Sequence, residues 1–237
     1  MYDQQKKILR ALRQICETEH NFGVEEICIK KSRVFPKDVS LTLPLDAKSS
    51  KSIQITALEK SVKDCTKCSL YISKRNFVFG EGELDAKIMF IGEAPGFEED
   101  IQARPFVGAA GKLLDKIINA IGLERGQVYI ANCLKCRPPG NRNPNDLEIT
   151  MCYPYLWSQI EIIRPKIICA LGKFAAQTLM ASCELISNLR GKISDFHGIP
   201  IIATYHPAYL LRNPRDKKLV WDDMQKVMQI MGMPKIK

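Results

Sequence analysis

Several things are scarce or missing in this sequence. No apolar run approaches the roughly 20 residues needed to cross a bilayer. The first residues, Met-Tyr-Asp-Gln-Gln-Lys-Lys, contain no signal-peptide apolar core. These two absences argue against a membrane partner and make a cytoplasmic protein the expectation. Histidine is rare, with three in 237 residues, so each one merits a reason. There is no internal repeat. Two nucleotide-binding motifs also fail. Gly111-Lys112 is followed by Leu113 instead of Ser or Thr, and the position five before Gly111 is Phe106, so no Walker A loop exists. Gly80-Glu-Gly82 has Asp85 where a dinucleotide fingerprint needs its third glycine, and it precedes a strand pattern instead of following one. ATP and nicotinamide chemistry are therefore disfavoured.

What is present points elsewhere. Lys plus Arg exceeds Asp plus Glu by 35 − 26 = 9, and the pI is about 9.1. Such a charge favours polyanions through counterion release, which makes nucleic acid a natural partner. Nine cysteines without a secretory signal point to a metal site or buried thiols, not to disulfides.

The N-terminal part reads separately from the rest. Ile8, Leu9, Leu12, Ile15 and Cys16 share one face of an amphipathic helix expected over residues 1 to 22. Periodicity is lost over 30–55, where Lys30-Lys31-Ser-Arg33, Pro36, Pro44 and Lys48-Ser-Ser-Lys-Ser52 suggest a linker. The expected division is a 1–55 extension followed by a domain over 56–237. The extension could bind DNA, dock a repair or replication protein or merely pack on the domain.

From residue 57 the pattern tightens. Helices are expected over 57–62, 111–121, 146–163, 174–180 and 217–231, with Pro154 interrupting the third. Unbroken apolar runs at 87–91, 127–132, 166–171 and 199–204 read as buried strands. Alternating strands and helices of this kind predict a parallel sheet covered on both faces. Glu93 follows the first strand, Asn132 ends the second and His206 follows the fourth. In a parallel sheet all three project from one edge and converge on one cleft. The loop after the first strand is the richest in chemistry. It runs Gly92-Glu-Ala-Pro-Gly96 through Glu98, Glu99 and Asp100 to Arg104-Pro-Phe-Val-Gly108. An open α/β sheet binds its ligand at such a strand end.

Two CxxC pairs, Cys65/Cys68 and Cys133/Cys136, suggest a four-cysteine site. Strand alternation turns Cys133 toward the core, and Cys152 follows on the next helix. The set Cys65, Cys68, Cys136 and Cys152, with gaps of 2, 67 and 15 residues, suits zinc or an iron–sulfur cluster equally. Cys169, Cys16, Cys28 and Cys183 read as small buried hydrophobes. Leu210 and Leu211, flanked by Tyr209 and Arg212, read either as core or as an apolar wedge of the sort that enters between base steps.

Taken together, these motifs resemble the family-4 uracil-DNA glycosylases, the iron–sulfur type of many prokaryotes. The resemblance rests on Gly92-Glu-Ala-Pro-Gly96 with Glu99-Asp100, on Arg104-Pro-Phe-Val-Gly108, and on Asn132. It rests also on Lys135-Cys-Arg-Pro-Pro139 with Asn141-Arg142, Leu171-Gly172, His206-Pro-Ala-Tyr-Leu-Leu-Arg212 and the cysteine spacing. It covers about residues 57 to 231. One departure is Ala103, where the family usually has Gly.

The resemblance implies a three-layer α/β/α domain with a central four-stranded parallel sheet. It implies a structural 4Fe–4S cluster on Cys65, Cys68, Cys136 and Cys152. The implied activity is excision of uracil from DNA by a monomeric enzyme of the prokaryotic cytoplasm, working at the nucleoid. Ala94, Phe106, Asn132 and His206 would hold the flipped base. Glu93, Glu99 and His206 would carry the catalysis. Pro95, Gly96, Pro138, Asn141, Arg142, Leu210, Leu211 and Arg212 would meet the DNA. Two other readings stand beside this one. A glycosylase for other deaminated bases would need a broader pocket at Phe106 and Asn132. A non-enzymatic DNA-binding relative would lack Glu93, Glu99, Asn132 or His206, and all four are present.

Overall fold

The structure, a computed structural model, describes residues 50–234. The helix expected over 1–22, Cys16, Cys28 and all but the end of the 30–55 linker lie outside the described residues. The first described helix, α1, spans Lys51–Val62. It begins six residues before the expected start at 57, so residues assigned to the linker are helical. Ile55, Leu58 and Val62 bind it to the domain through an apolar cluster.

Six strands form one sheet: β1 (Glu81–Gly82), β2 (Ile88–Gly92), β3 (Tyr129–Asn132), β4 (Ile167–Leu171), β5 (Ile193–Phe196) and β6 (Ile199–Thr204). Their spatial order is β1-β3-β2-β4-β6-β5. The inner four are parallel. The edge strands β1 and β5 pair antiparallel and extend the expected four-stranded sheet to six. Neither edge strand has a buried apolar run to announce it, since β1 is two residues long and β5 is largely exposed.

The inner strands are buried on both faces because their residues alternate between two cores. Met89, Ile91, Ile168, Ala170, Ile201 and Ala203 face one side. There they meet α5 (Asp146–Ile163) and α6 (Gly172–Leu179). Ile88, Phe90, Ile130, Ile167, Cys169 and Ile202 face the other. There they meet α4 (Ala109–Ala120) and α9 (Lys217–Ile230). This is the three-layer α/β/α arrangement. Helix α5 runs unbroken through Pro154 and starts on a capping box between Asn145 and Glu148. Three short helices complete the set: α2 (Leu70–Ser73), α3 (Phe97–Gln102) and α7 (Ile186–Leu189), while α8 (Pro207–Arg212) follows β6.

The chain passes from β2 to β3 on one side, then to β4 on the other side of β2. The connections after β2 and β4 therefore diverge, leaving a crevice at the carboxyl ends of the central strands.

Candidate active site

That crevice is a cavity of about 400 Å³. Glu93, Ala94, Pro95, Gly96 and Glu99 line it from the loop after β2 and from α3. Phe106, Asn132, Pro138, Asn141, Arg142, His206 and Arg212 complete most of the wall. Three strand ends and two loops are thus brought together as expected. Ala110, Ala208 and Tyr209 line it too, and nothing in their side chains singled them out beforehand.

Leu210 is a correction. Its side chain is 1% exposed and packs in the core beneath α8. On a helix its side chain points opposite to the cavity face, so it cannot reach DNA. Leu211 is 46% exposed and outside the cavity wall. Cys183 is a second correction, since it is exposed and not a buried hydrophobe. Cys133 and Cys169 are buried in the core as expected.

The cavity floor is shaped by absent side chains. A Cβ on Gly92 would collide with Asn132 and with the Phe106 ring. One on Gly172 would lie 2.9 Å from the Cβ of His206. The Phe106 and His206 rings stack with centroids 5.5 Å apart and planes 29° from parallel. The missing side chains let the Phe106 ring and the Asn132 amide close down on the end of β2, and let His206 sit against the start of α6.

Phe106 occupies the left-handed region, φ 51, which is uncommon for a bulky residue. Local bonds hold it there. The Glu99 carboxylate accepts from the amides of Val107 (2.9 Å) and Gly108 (3.0 Å), and from Gly96 (3.1 Å). Arg125 donates to the carbonyls of Phe106 (3.1 Å) and Pro105 (2.5 Å) while pairing with Glu81 and Asp115. Glu81 and Arg125 were not legible as site residues, because their role depends on the antiparallel β1 edge. The Glu99 oxygens thus accept from three backbone amides of this loop. Asp100, in the same acidic run, is buried and accepts from the amides of Arg75 (2.9 Å) and Asn76 (3.0 Å).

Asn132 is 2% exposed, and its Oδ1 is buried in the cavity wall without a partner. Such an atom carries a desolvation cost until something donates to it. Just behind it, the ammonium of fully buried Lys135 donates to the Asn132 carbonyl (2.9 Å) and to Oε1 of Gln159 (2.5 Å). The strand end that carries Asn132 is fixed by those bonds.

His206 caps α8. Its Nδ1 accepts from the amide of Ala208 at 3.1 Å, which leaves the proton on Nε2. Burial holds its pKa down at about 4, opposed by the Glu99 charge. The imidazole is neutral at physiological pH and is a hydrogen-bond donor through Nε2. Burial pushes the Glu93 carboxyl up to about 7, in the range of a working acid or base. At the mouth Arg142 pairs with buried Glu148 at 2.6 Å, and Arg212 is exposed.

The four cysteines gather beside the cavity. Cys136 and Cys152 are buried, while Cys65 and Cys68 are half-buried against the same apolar cluster. Burial pushes the Cys136 thiol up to about 11 and the Cys152 thiol to about 12, and neighbouring thiols add to both rises. All four therefore lie within electrostatic range of one another. Among the described residues no three His, Cys, Asp or Glu side chains are grouped to hold a single metal ion. N–H groups of Lys67 (3.5 Å) and Lys135 (3.3 Å) point at Cys65 and Cys152.

Residues 79–225 match the family model described as the uracil DNA glycosylase superfamily. The chain is 47% identical over 180 residues to a type-4 uracil-DNA glycosylase of Saccharolobus solfataricus, covering 72% of this chain and 83% of that protein. It is 43% identical over 181 residues to the type-4 enzyme of Archaeoglobus fulgidus, covering 73% and 91%. A Thermotoga maritima type-4 enzyme is 44% identical over 173 residues, covering 71% and 90%. An α/β/α domain with this cavity, matched over most of its length, belongs to the uracil DNA glycosylase superfamily, beside its type-4 members.

Proposed function

We propose that this protein is a monofunctional uracil-DNA glycosylase that starts base excision repair. The observation that carries the reading is the unpartnered, buried Oδ1 of Asn132 in a slot bounded by Phe106 and His206. Uracil offers N3–H to that oxygen and O4 to the amide nitrogen. Cytosine presents the reverse pair, so an amide held in place rejects it.

Uracil must leave the stack before its glycosidic bond is reached. Phe106 stacks on the flipped ring. The N1–C1′ bond breaks with its electron pair passing to uracil, leaving an oxocarbenium-like sugar. Nε2–H of His206 donates to O2, where the anion's charge develops. Glu93, with its raised pKa, takes a proton from the water that attacks C1′. Glu99 acts through the loop it holds. Pro95, Gly96, Pro138, Asn141, Arg142, Leu211 and Arg212 border the DNA track.

Cys65, Cys68, Cys136 and Cys152 would hold a 4Fe–4S cluster. Four soft thiol donors that share one apolar cluster, with N–H groups aimed at two of them, fit such a group. Bound there, the cluster supplies cross-linking of loops beside the DNA. No helix among the described residues is long and apolar enough to cross a membrane. A monomer acting at the nucleoid of a prokaryotic cell fits this reading, with the extension ahead of α1 a candidate contact for DNA or for a repair or replication partner.

The deciding experiment is cleavage of an oligonucleotide with one uracil, beside thymine and cytosine controls, with alkali to open abasic sites. Breakage at uracil alone is expected. No breakage by protein that carries its iron would overturn the enzymatic reading. Iron and acid-labile sulfide near four of each per chain would support the cluster, and zinc without sulfide would refute it.

A further inference from the structure

Phe97 is 56% exposed. It directly follows Gly96, which lines the cavity. The guanidinium of Arg137 lies over its ring, 4.9 Å from the centroid. Arg137 itself directly precedes the cavity residue Pro138, and its Nε donates to Oδ1 of Asn141 at 2.7 Å. Ring and cation therefore bridge the two loops that frame the mouth, one after β2 and one after β3. Ile101, one turn along α3 from Phe97, is 42% exposed and extends the apolar surface. None of the three apolar cores includes Phe97, so core packing does not account for a phenyl group in water at this point.

A flipped uracil leaves its neighbours on the strand with one stacking partner fewer. In single-stranded DNA no complementary strand holds them. An exposed aromatic ring with an attached cation is the arrangement that binds unpaired bases with little sequence preference. We infer that Phe97 and Arg137 form a stacking platform for a nucleobase adjoining the flipped uracil on the same strand. Phe97 supplies the face, and Arg137 orients the ring and meets the adjoining phosphate. The inference rests on the reading of the cavity as a uracil pocket and extends the substrate to at least two nucleotides. It also implies that this protein works well on single-stranded DNA.

The test is a coupling measurement with the full chain in its iron-loaded form. Single-stranded oligonucleotides carry a non-cleavable 2′-fluoro-deoxyuridine, and the neighbour on the 5′ or the 3′ side is either a base or an abasic spacer. Fluorescence anisotropy gives Kd for wild type, Phe97→Ala and Phe97→Trp. Removing one of the two neighbours should weaken wild-type binding by about tenfold. Phe97→Ala should weaken binding to the intact strand by a similar factor, and removal of that neighbour should then cost nothing further. Phe97→Trp should restore the dependence. Independent, multiplying losses at both neighbours, or an unchanged Kd for Phe97→Ala, would overturn the platform. Cleavage of ordinary uracil is scored separately. Wild-type protein that shows the coupling without cleaving would overturn the glycosylase reading while upholding the platform.

Discussion

A methyl group on Gly92 would come within 2.5 Å of Cζ of Phe106. Gly92 ends β2 behind the slot, so the absence of its side chain is what lets the Phe106 ring and the Asn132 amide seat where they bound it. Gly92→Ala should lower kcat/KM for uracil excision by about 10²-fold, the scale on which a reacting group displaced by an ångström loses rate. The melting temperature should fall as well, because the methyl group would press on the buried Asn132 amide and on the Phe106 ring together. Full activity would mean that the base does not occupy this slot.

The Glu93 carboxyl gives the reaction a pH dependence. Its active form is the carboxylate, and its pKa is raised to about 7. Below that value kcat/KM should fall about tenfold per pH unit, and above it the rate should level. Glu93→Gln should remove this limb along with most of the activity. Stability runs the other way. A group whose folded pKa lies above its ordinary 4.5 destabilises the fold when ionised in both states, and that penalty is complete above about 7. Glu93→Gln should therefore raise the melting temperature at pH 8 and change it less as pH falls toward 5. A pH–rate profile that is the same for both proteins would remove Glu93 from the chemistry.

Glu99 serves the loop. Its carboxylate accepts three backbone amides, and bonds to a charged acceptor contribute about 1.5–3 kcal/mol each at most. Glu99→Ala should cost about 2–3 kcal/mol in urea unfolding and raise KM by releasing Phe106. Glu99→Gln, which keeps an acceptor, should recover part of both. If Glu99→Gln were as inactive as Glu99→Ala at saturating substrate while remaining stable, a direct role at the water would be indicated instead.

Asn132→Asp removes the donor to O4 and leaves two acceptors. Uracil excision should drop by about 10²-fold or more, and the ratio of uracil to cytosine excision should shrink. A retained ratio, measured on paired oligonucleotides, would place base discrimination in another residue.

Ala103 ends α3 in the left-handed region, φ 57. Glycine takes this conformation without the Cβ penalty. Ala103→Gly should stabilise the protein by about 0.5–1 kcal/mol with no effect on cleavage. A lower urea midpoint would show that the loop gains from the methyl group.

The sequence carried the parallel sheet and the convergence of Glu93, Asn132 and His206 clearly, because buried parallel strands are unbroken apolar runs and their ends share an edge. The edge strands were silent. Glu81–Gly82 has two residues, and Ile193–Phe196 keeps only Phe196 buried. Leu210 and Leu211 are adjacent and chemically alike, so only the phase of α8 could tell which one faces inward. The roles of Glu99 and Asp100 were illegible for a related reason. A run of carboxylates looks like a solvated turn until the amides that it caps are in place, and those of Val107, Gly108, Arg75 and Asn76 come from separate loops. Arg125 was hidden in the same way, as its partners lie 10 to 44 residues distant.

Asp100 joins the segment that follows Cys68 to the helix that follows the catalytic loop, through the amides of Arg75 and Asn76 and the Asn76 side chain at 2.7 Å. The thiol-bearing segment and the mouth of the cavity are therefore one mechanical unit. A mouth braced in this way has less conformational entropy to lose on meeting DNA than a loop held only at its ends. The preorganised mouth can select a base already swung out of the helix, and residence on undamaged DNA can remain short.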